Sequence, residues 1–442
     1  MLESLVTLFS NSRTIIALVT LLITIVLSYY LARKYQLTKY QITLFILMML
    51  FWTAIIIARD YRKNFAGGSL ASGGLGLGES LAATVASAYG LISIFARLPF
   101  FALSDYFKSR KLFIGIALIF VALSSTAVVF NPSFITLYMS SLAFGLGASL
   151  LAMFNVIFAE TFKPEKAMVS VSILSISPLI AESLVAPFQY FATQNQLRNY
   201  SYLWILSAIL AVVALIFLFF VEDRKPKVRN FTLPKFIKVI TDYKFLTIAL
   251  ISIVVSYIRF STSGANMNKF GDILGMDSFL IAYLGVIFSS AQLIAGVLMG
   301  TVLTKKIGVK NTLLLGLILS LGFAVIGATI TNPTILFLAY TLNGFGYGLT
   351  YNVLLGIALQ SFSLDYREIS MGIYQTFFAL GIFLGDIIYN IVINFLGPTF
   401  SGLGLYQATY GVTSIVSLVS IVLVLVVFNN KNRSFLDSNL EN

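Results

Sequence analysis

Polar residues punctuate this chain at intervals, and between them run apolar stretches of about twenty residues. Thirteen such stretches lie near residues 14–32, 41–58, 80–103, 112–130, 134–159, 168–193, 200–221, 244–265, 279–303, 311–330, 334–360, 369–396 and 405–428. A helix rising ~1.5 Å per residue crosses a ~30 Å hydrocarbon core in about twenty residues, with its backbone bonds satisfied internally. The ten-residue alternating segments of a β-barrel are absent. The pattern therefore predicts an all-α polytopic membrane protein.

Basic residues gather in every second connection: Arg33, Lys34 and Lys39; Lys108, Arg110 and Lys111; Lys163 and Lys166; Arg224 to Lys244; Lys305, Lys306 and Lys310; Lys431 and Arg433. By the positive-inside rule these connections and the C-terminus are cytoplasmic. The net charge of +12 is then mainly a topology signal, and no nucleic-acid partner is expected. Only Arg13 precedes the first stretch, whereas Arg33 and Lys34 follow it without a small-residue cleavage site, the reverse of a signal peptide. Residues 1–39 are read as an extra transmembrane helix with its N-terminus outside.

Composition agrees. Hydrophobic residues make up 58% of the 442 and charged residues 10%, against about 25% charged in soluble domains. The chain has neither Cys nor His, which excludes disulfides, thiol chemistry and most zinc sites. No cofactor or metal is expected.

The remaining twelve stretches repeat. "NPSFITLYMSSLAFGLG" from Asn131 and "NPTILFLAYTLNGFGYG" from Asn332 align without a gap at an offset of 201 residues. Residues 40–221 form one six-helix half, 222–243 a basic cytoplasmic linker, 244–430 the second half and 431–442 a cytoplasmic tail. That plan is two parallel repeats, with glycines permitting close helix approach. After the second helix of the unit comes "ALSDYFKSRK", residues 102–111. It resembles the loop motif of the major facilitator superfamily, Asp105 and Arg110 being the matching positions; the resemblance implies that fold and a latch between the halves. "TKKIGVK" from Thr304 is a weaker copy.

A charge in the bilayer centre costs a few kcal/mol, so those present usually line a cavity. The candidates are Arg59, Asp60, Arg62 and Lys63 on the unit's first helix, Arg97 on the second, Glu182 on the fifth, Arg259 on the seventh and Asp386 on the eleventh. Arg259 lies some fifteen residues into its segment, too far to snorkel. Projected back by 201 residues it falls at Ala58, beside Arg59 and one turn from Arg62. Guanidinium groups at related positions of two halves form a site seeking an anion, because their donor forks fit phosphate or carboxylate and never deprotonate.

"YRKNFA" at 61–66 and "YIRF" at 257–260 resemble the first- and seventh-helix motifs of the organophosphate:phosphate antiporters, carriers of glycerol phosphate and hexose phosphates. The resemblance implies that Arg62 and Arg259 clasp phosphate between the halves, and that Arg97, eight residues before Asp105, adds a basic group to the cavity. Arg59 is a further candidate, with Lys63, Glu182 and Asp386 as polar cavity residues. The chain departs from that pattern in its glycine-rich segment 66–80, in a fifth helix without His, and in the extra first helix. The expected activity is exchange of an organic phosphate for inorganic phosphate by a monomer in the cell membrane. Alternatives are a transporter-like sugar-phosphate sensor and a carrier of another organic anion. No P-loop, Gly-x-Ser-x-Gly or carboxylate cluster suggests an enzyme. Pro178 and Pro187 are expected to bend the fifth helix, which lacks the drug-antiporter Gly-Pro cluster.

Overall fold

A computed structural model describes residues 12–162, 167–222, 232–363 and 366–428. All thirteen apolar stretches are helical. The extra helix is α1 (Ser12–Lys34), and the first half contains α2 (Lys39–Arg59), the short α3 (Arg62–Gly67), α4 (Glu79–Tyr106), α5 (Arg110–Phe130), α6 (Phe134–Ala159), α7 (Ala167–Thr193) and α8 (Tyr200–Phe219). A short helix, α9 (Leu233–Thr241), lies within the segment read as a linker. The second half contains α10 (Tyr243–Ser261), the short α11 (Ala265–Ile273), α12 (Ser278–Leu298), α13 (Thr304–Thr329), α14 (Pro333–Gln360), α15 (Arg367–Leu396) and α16 (Gly402–Val427). The expected tail 431–442 lies outside the described residues.

Each half packs its helices in corresponding pairs: α4 on α6 and α5 on α8 in the first, α12 on α14 and α13 on α16 in the second. The halves meet along α4 with α15 and α7 with α12. Backbones approach closely where glycine removes the side chain. A Cβ on Gly145 would lie 2.2 Å from the Tyr89 carbonyl, and one on Gly90 would lie 2.5 Å from the Phe383 backbone across the two halves. The glycines of the repeated motif face different neighbours in its two copies: Gly145 faces α4, whereas Gly346 faces α13.

The first and seventh spans of the unit are both interrupted. Helix α2 stops at Arg59, the chain turns through Asp60 and Tyr61, and α3 begins at Arg62. Helix α10 stops at Ser261, and the chain passes Gly264 at φ +56°, ψ −129° before α11. Glycine carries little penalty in that left-handed conformation. The two interruptions fall at corresponding places of the two halves, within two residues of the offset of 201. Carbonyls released by a break must find donors inside a membrane protein. Here Gln189 Nε2 donates to Ile56 O (3.3 Å) and Ile57 O (3.1 Å), Asn266 Nδ2 to Phe260 O (2.8 Å), and Asn343 Nδ2 to Thr262 O (3.3 Å).

The basic residues of the loop motif serve helix ends within their own half. Arg110 holds both oxygens of Glu160 at 2.9–3.0 Å, and Lys111 donates to Val221 O at 2.7 Å beyond the end of α8. The Asp105 side chain lies outside what is described. In the second half, a π turn at Met299–Leu303 leads directly into α13, and the chain bends at Gly308 (φ +79°).

Cross-half bonds crowd the end of the bundle that carries α3 and α11. Arg198 pairs with Asp272 at 2.6 Å, Lys269 with Glu79 at 3.1 Å, and Ser278 Oγ donates to Thr193 O at 2.6 Å. Asn390 Nδ2 reaches Thr84 Oγ1 at 3.3 Å. This end is closed. Because the native chain lacks cysteine, the pair Thr193→Cys and Ser278→Cys can report its state. A short bifunctional thiol reagent is expected to cross-link most of the purified double variant, and failure of each single variant to cross-link internally is the control.

Candidate functional site

The two interruptions face each other. A Cβ on Gly264 would lie 3.2 Å from Asp60 Oδ1, so the turn of the second half packs against the acid of the first. Around this junction sit Arg59, Asp60, Arg62, Lys63, Glu182 and Asp386, each no more than 9% exposed. Arg97 and Arg259 are partly exposed.

Two of these cations are matched to carboxylates. Arg59 forms a two-point pair with Asp60, Nε to Oδ1 at 2.7 Å and Nη2 to Oδ2 at 3.1 Å, and its Nη2 is 3.6 Å from Glu182 Oε1. Glu182 lies against the α12 backbone at Gly285, where a Cβ would fall 2.2 Å from Oε2. Arg59 is therefore buried rather than at an outer interface. Lys63 crosses between the halves: its Nζ lies 3.7 Å from Asp386 Oδ1, donates to Asn266 Oδ1, and sits 3.9 Å from the Tyr389 ring centroid. Asn266 Nδ2 also donates to Asp386 Oδ1 at 3.1 Å, closing the triad.

The other three cations have no carboxylate in salt-bridge contact among the described residues. Arg62 donates to neutral oxygens only: Arg59 O, Ala86 O (3.2 Å) and the Ser141 hydroxyl. Its guanidinium carbon is 5.1 Å from the Tyr89 ring. Arg259 lies among the rings of Phe288 (4.3 Å), Phe260 (4.6 Å) and Tyr347 (5.1 Å), and its Nη1 is buried without a hydrogen-bond partner. Arg97 donates to Gln375 Oε1 across the halves while its buried Nε has no partner. Tyrosines thus face two of the three guanidinium groups, Tyr89 that of Arg62 and Tyr347 that of Arg259. Among these eight residues, five cations thus face three carboxylates, a formal excess of two positive charges.

Sequence reading singled out every charged residue here but none of the aromatic wall. Tyr89, Tyr347, Tyr351, Phe288 and Phe378 are scattered among 22 Tyr and 39 Phe, and nothing local marks them. Gln189, Asn266 and Asn343 were also missed; they matter only because helix breaks leave carbonyls to satisfy.

The pattern of the Major Facilitator Superfamily matches residues 40–386 and 248–438, and the chain belongs to that family. It is a multi-pass membrane transporter of that type. Among solved structures, the nucleoside transporter NupG superposes with a TM-score of 0.70 at 15% identity, covering 88% of this chain and 100% of that one. A peptide transporter POT in complex with sulfate gives 0.72 at 13% identity, covering 90% and 96%. A POT family transporter in complex with 5-aminolevulinic acid gives 0.72 at 12%, covering 88% and 96%. No curated protein matches this sequence. The family match begins at residue 40, which leaves α1 outside it.

Breaking one member of a buried ion pair strands the other, at a cost of about 3–5 kcal/mol, whereas replacing both with apolar groups is often neutral. Lys63→Met alone is expected to lower the melting temperature of the purified protein clearly. Adding Asp386→Leu should recover most of that loss. Equal destabilisation by the single and double variants in a thermal melt would show that the pair does not compensate as described.

Proposed function

We propose that this transporter exchanges an organic phosphate for inorganic phosphate, holding the phosphoryl group between Arg62 and Arg259 with Arg97 nearby. The observation that carries the reading is the set of three guanidinium groups without a paired carboxylate among the described residues, contributed by both halves, with Arg62 and Arg259 beside the two broken helices. Discontinuous helices at corresponding positions of two repeats mark binding sites in transporters. Phosphate supplies the missing negative charge, and a guanidinium fork binds it at two points. Rocking of the halves would expose the site alternately, with the α3–α11 end, proposed as the external one, closed in this structure. The positive-inside pattern supports a cytoplasmic C-terminus. An empty carrier leaves the three cations unneutralised, which disfavours its return and favours exchange.

A second reading, a carrier of another organic anion, is favoured by the aromatic wall. Tyr347 and Tyr351 stack at 5.3 Å, and Phe378 meets Tyr351 at 5.2 Å between ring centroids. Such rings suit the planar or apolar part of an organic anion.

Proteoliposomes loaded with phosphate and offered labelled phosphate or organophosphates test both readings. Internal phosphate should accelerate uptake, and a protein that binds but does not exchange would be a sensor. Equal uptake into loaded and empty vesicles would contradict exchange. Losing one charge-assisted contact costs about 1.5–3 kcal/mol, so Arg62→Lys and Arg259→Lys should each reduce exchange roughly tenfold or more. Arg97→Lys should be milder. Arg59→Lys is expected to be damaging as well, through lost pairing with Asp60 and Glu182, and a lowered melting temperature would separate that effect from lost binding.

A further inference from the structure

Helix α1 does not lie flat against the bundle. Near one end Ala17 is fully buried in a cluster with Ala186 and Tyr190 of α7 and Ala282 and Tyr283 of α12. There Tyr283 donates to Thr20 Oγ1 at 3.0 Å, and Arg13 pairs with Asp277 at 3.0 Å. Toward its other end α1 stands away from α2, and a groove of about 970 Å³ opens between α1, α2, α7 and α8. Its walls are almost wholly apolar, from Ile25 on α1 and Phe45 on α2 to Phe188 and Leu210 on α7 and α8, except at one mouth. That mouth is formed by Arg33 and Gln36, with Lys34 and Lys39 exposed beside them in the chain. Along α2 the lining runs from Ile42 to Ile57, about 22 Å at 1.5 Å per residue.

We infer that this groove is a binding site for a membrane lipid with an anionic headgroup, its acyl chain lying along α2 and its phosphate at Arg33. Within a bilayer the apolar walls give water no partners, so hydrocarbon is the matching filler. The mouth selects the headgroup by charge. Arg33 Nε is held by Tyr29 Oη at 2.9 Å, which orients the guanidinium at the groove's rim. Basic residues next to a spanning helix attract anionic lipids by about 1 kcal/mol each. The site depends on α1, lies outside the family match, and is independent of the substrate reading above.

Native mass spectrometry of the full-length protein, with dioleoyl phosphatidylglycerol or dioleoyl phosphatidylcholine added to the detergent solution, tests the inference. The expected result is one phosphatidylglycerol retained at least about fivefold better than phosphatidylcholine. Arg33→Gln, an exposed change that leaves the fold alone, should weaken the preference roughly fivefold. Leu50→Trp, which fills the groove, should reduce retention of both. Equal retention of the two lipids by the native protein would overturn the inference. So would an Arg33→Gln variant that keeps the full preference.

Discussion

The organisation of this protein turns on uncompensated positive charge held where two broken helices face each other. A buried cation needs an anion or a dense set of acceptors. Arg59 and Lys63 obtain carboxylates from Asp60, Glu182 and Asp386. Arg62 is placed by two backbone carbonyls and one hydroxyl, and Arg259 by aromatic faces. The first group ties helices together, Arg59 joining α2 to α7 and Lys63 joining one half to the other. The second group is left with charge to share. In the proposed function, that division separates residues that hold the structure from residues that would hold a substrate.

The breaks make the division possible. A continuous helix would spend the carbonyls of residues 56, 57 and 260 on its own amides. Interrupting α2 and α10 turns Asp60 and Gly264 toward each other and lets Arg62 restart a helix beside α4 and α6. The cost falls on Gln189, Asn266 and Asn343, whose amides satisfy the released carbonyls. Since Asn266 also bonds Asp386 and Lys63, the break in the second half and the ion pair between the halves are one network. The proposed rocking of the halves would have to reorganise it.

Much of this was legible in the chain. Twenty-residue apolar runs dictate the spans, because a membrane leaves helices few alternatives, and the offset of 201 relates the halves. The two breaks fall within two residues of that offset, although nothing in "ARDYRKNFA" announces one; Gly264 is the single local clue. Charged residues stood out because they are rare in this composition. Pairing was not legible: Arg59 and Arg62 sit three apart and look alike in sequence, yet one meets carboxylates and the other carbonyls. Part of that difference arises from Glu182 on α7 and from Ser141 on α6, which is 79 residues from Arg62. Nor was the partner of Arg110 legible: it pairs with Glu160 just past the end of α6.

The central claim is that Arg62 and Arg259 form an anion site whose charge the protein leaves unmatched. A ligand that binds only the folded state stabilises it by RT ln(1 + [L]/Kd). Thermal melts of the purified protein in rising inorganic phosphate, against chloride at equal ionic strength, read this directly. The account predicts a phosphate-dependent rise in melting temperature that disappears in Arg259→Gln. An equal rise in the variant, or none in the native protein with either phosphate or an organophosphate, would contradict it.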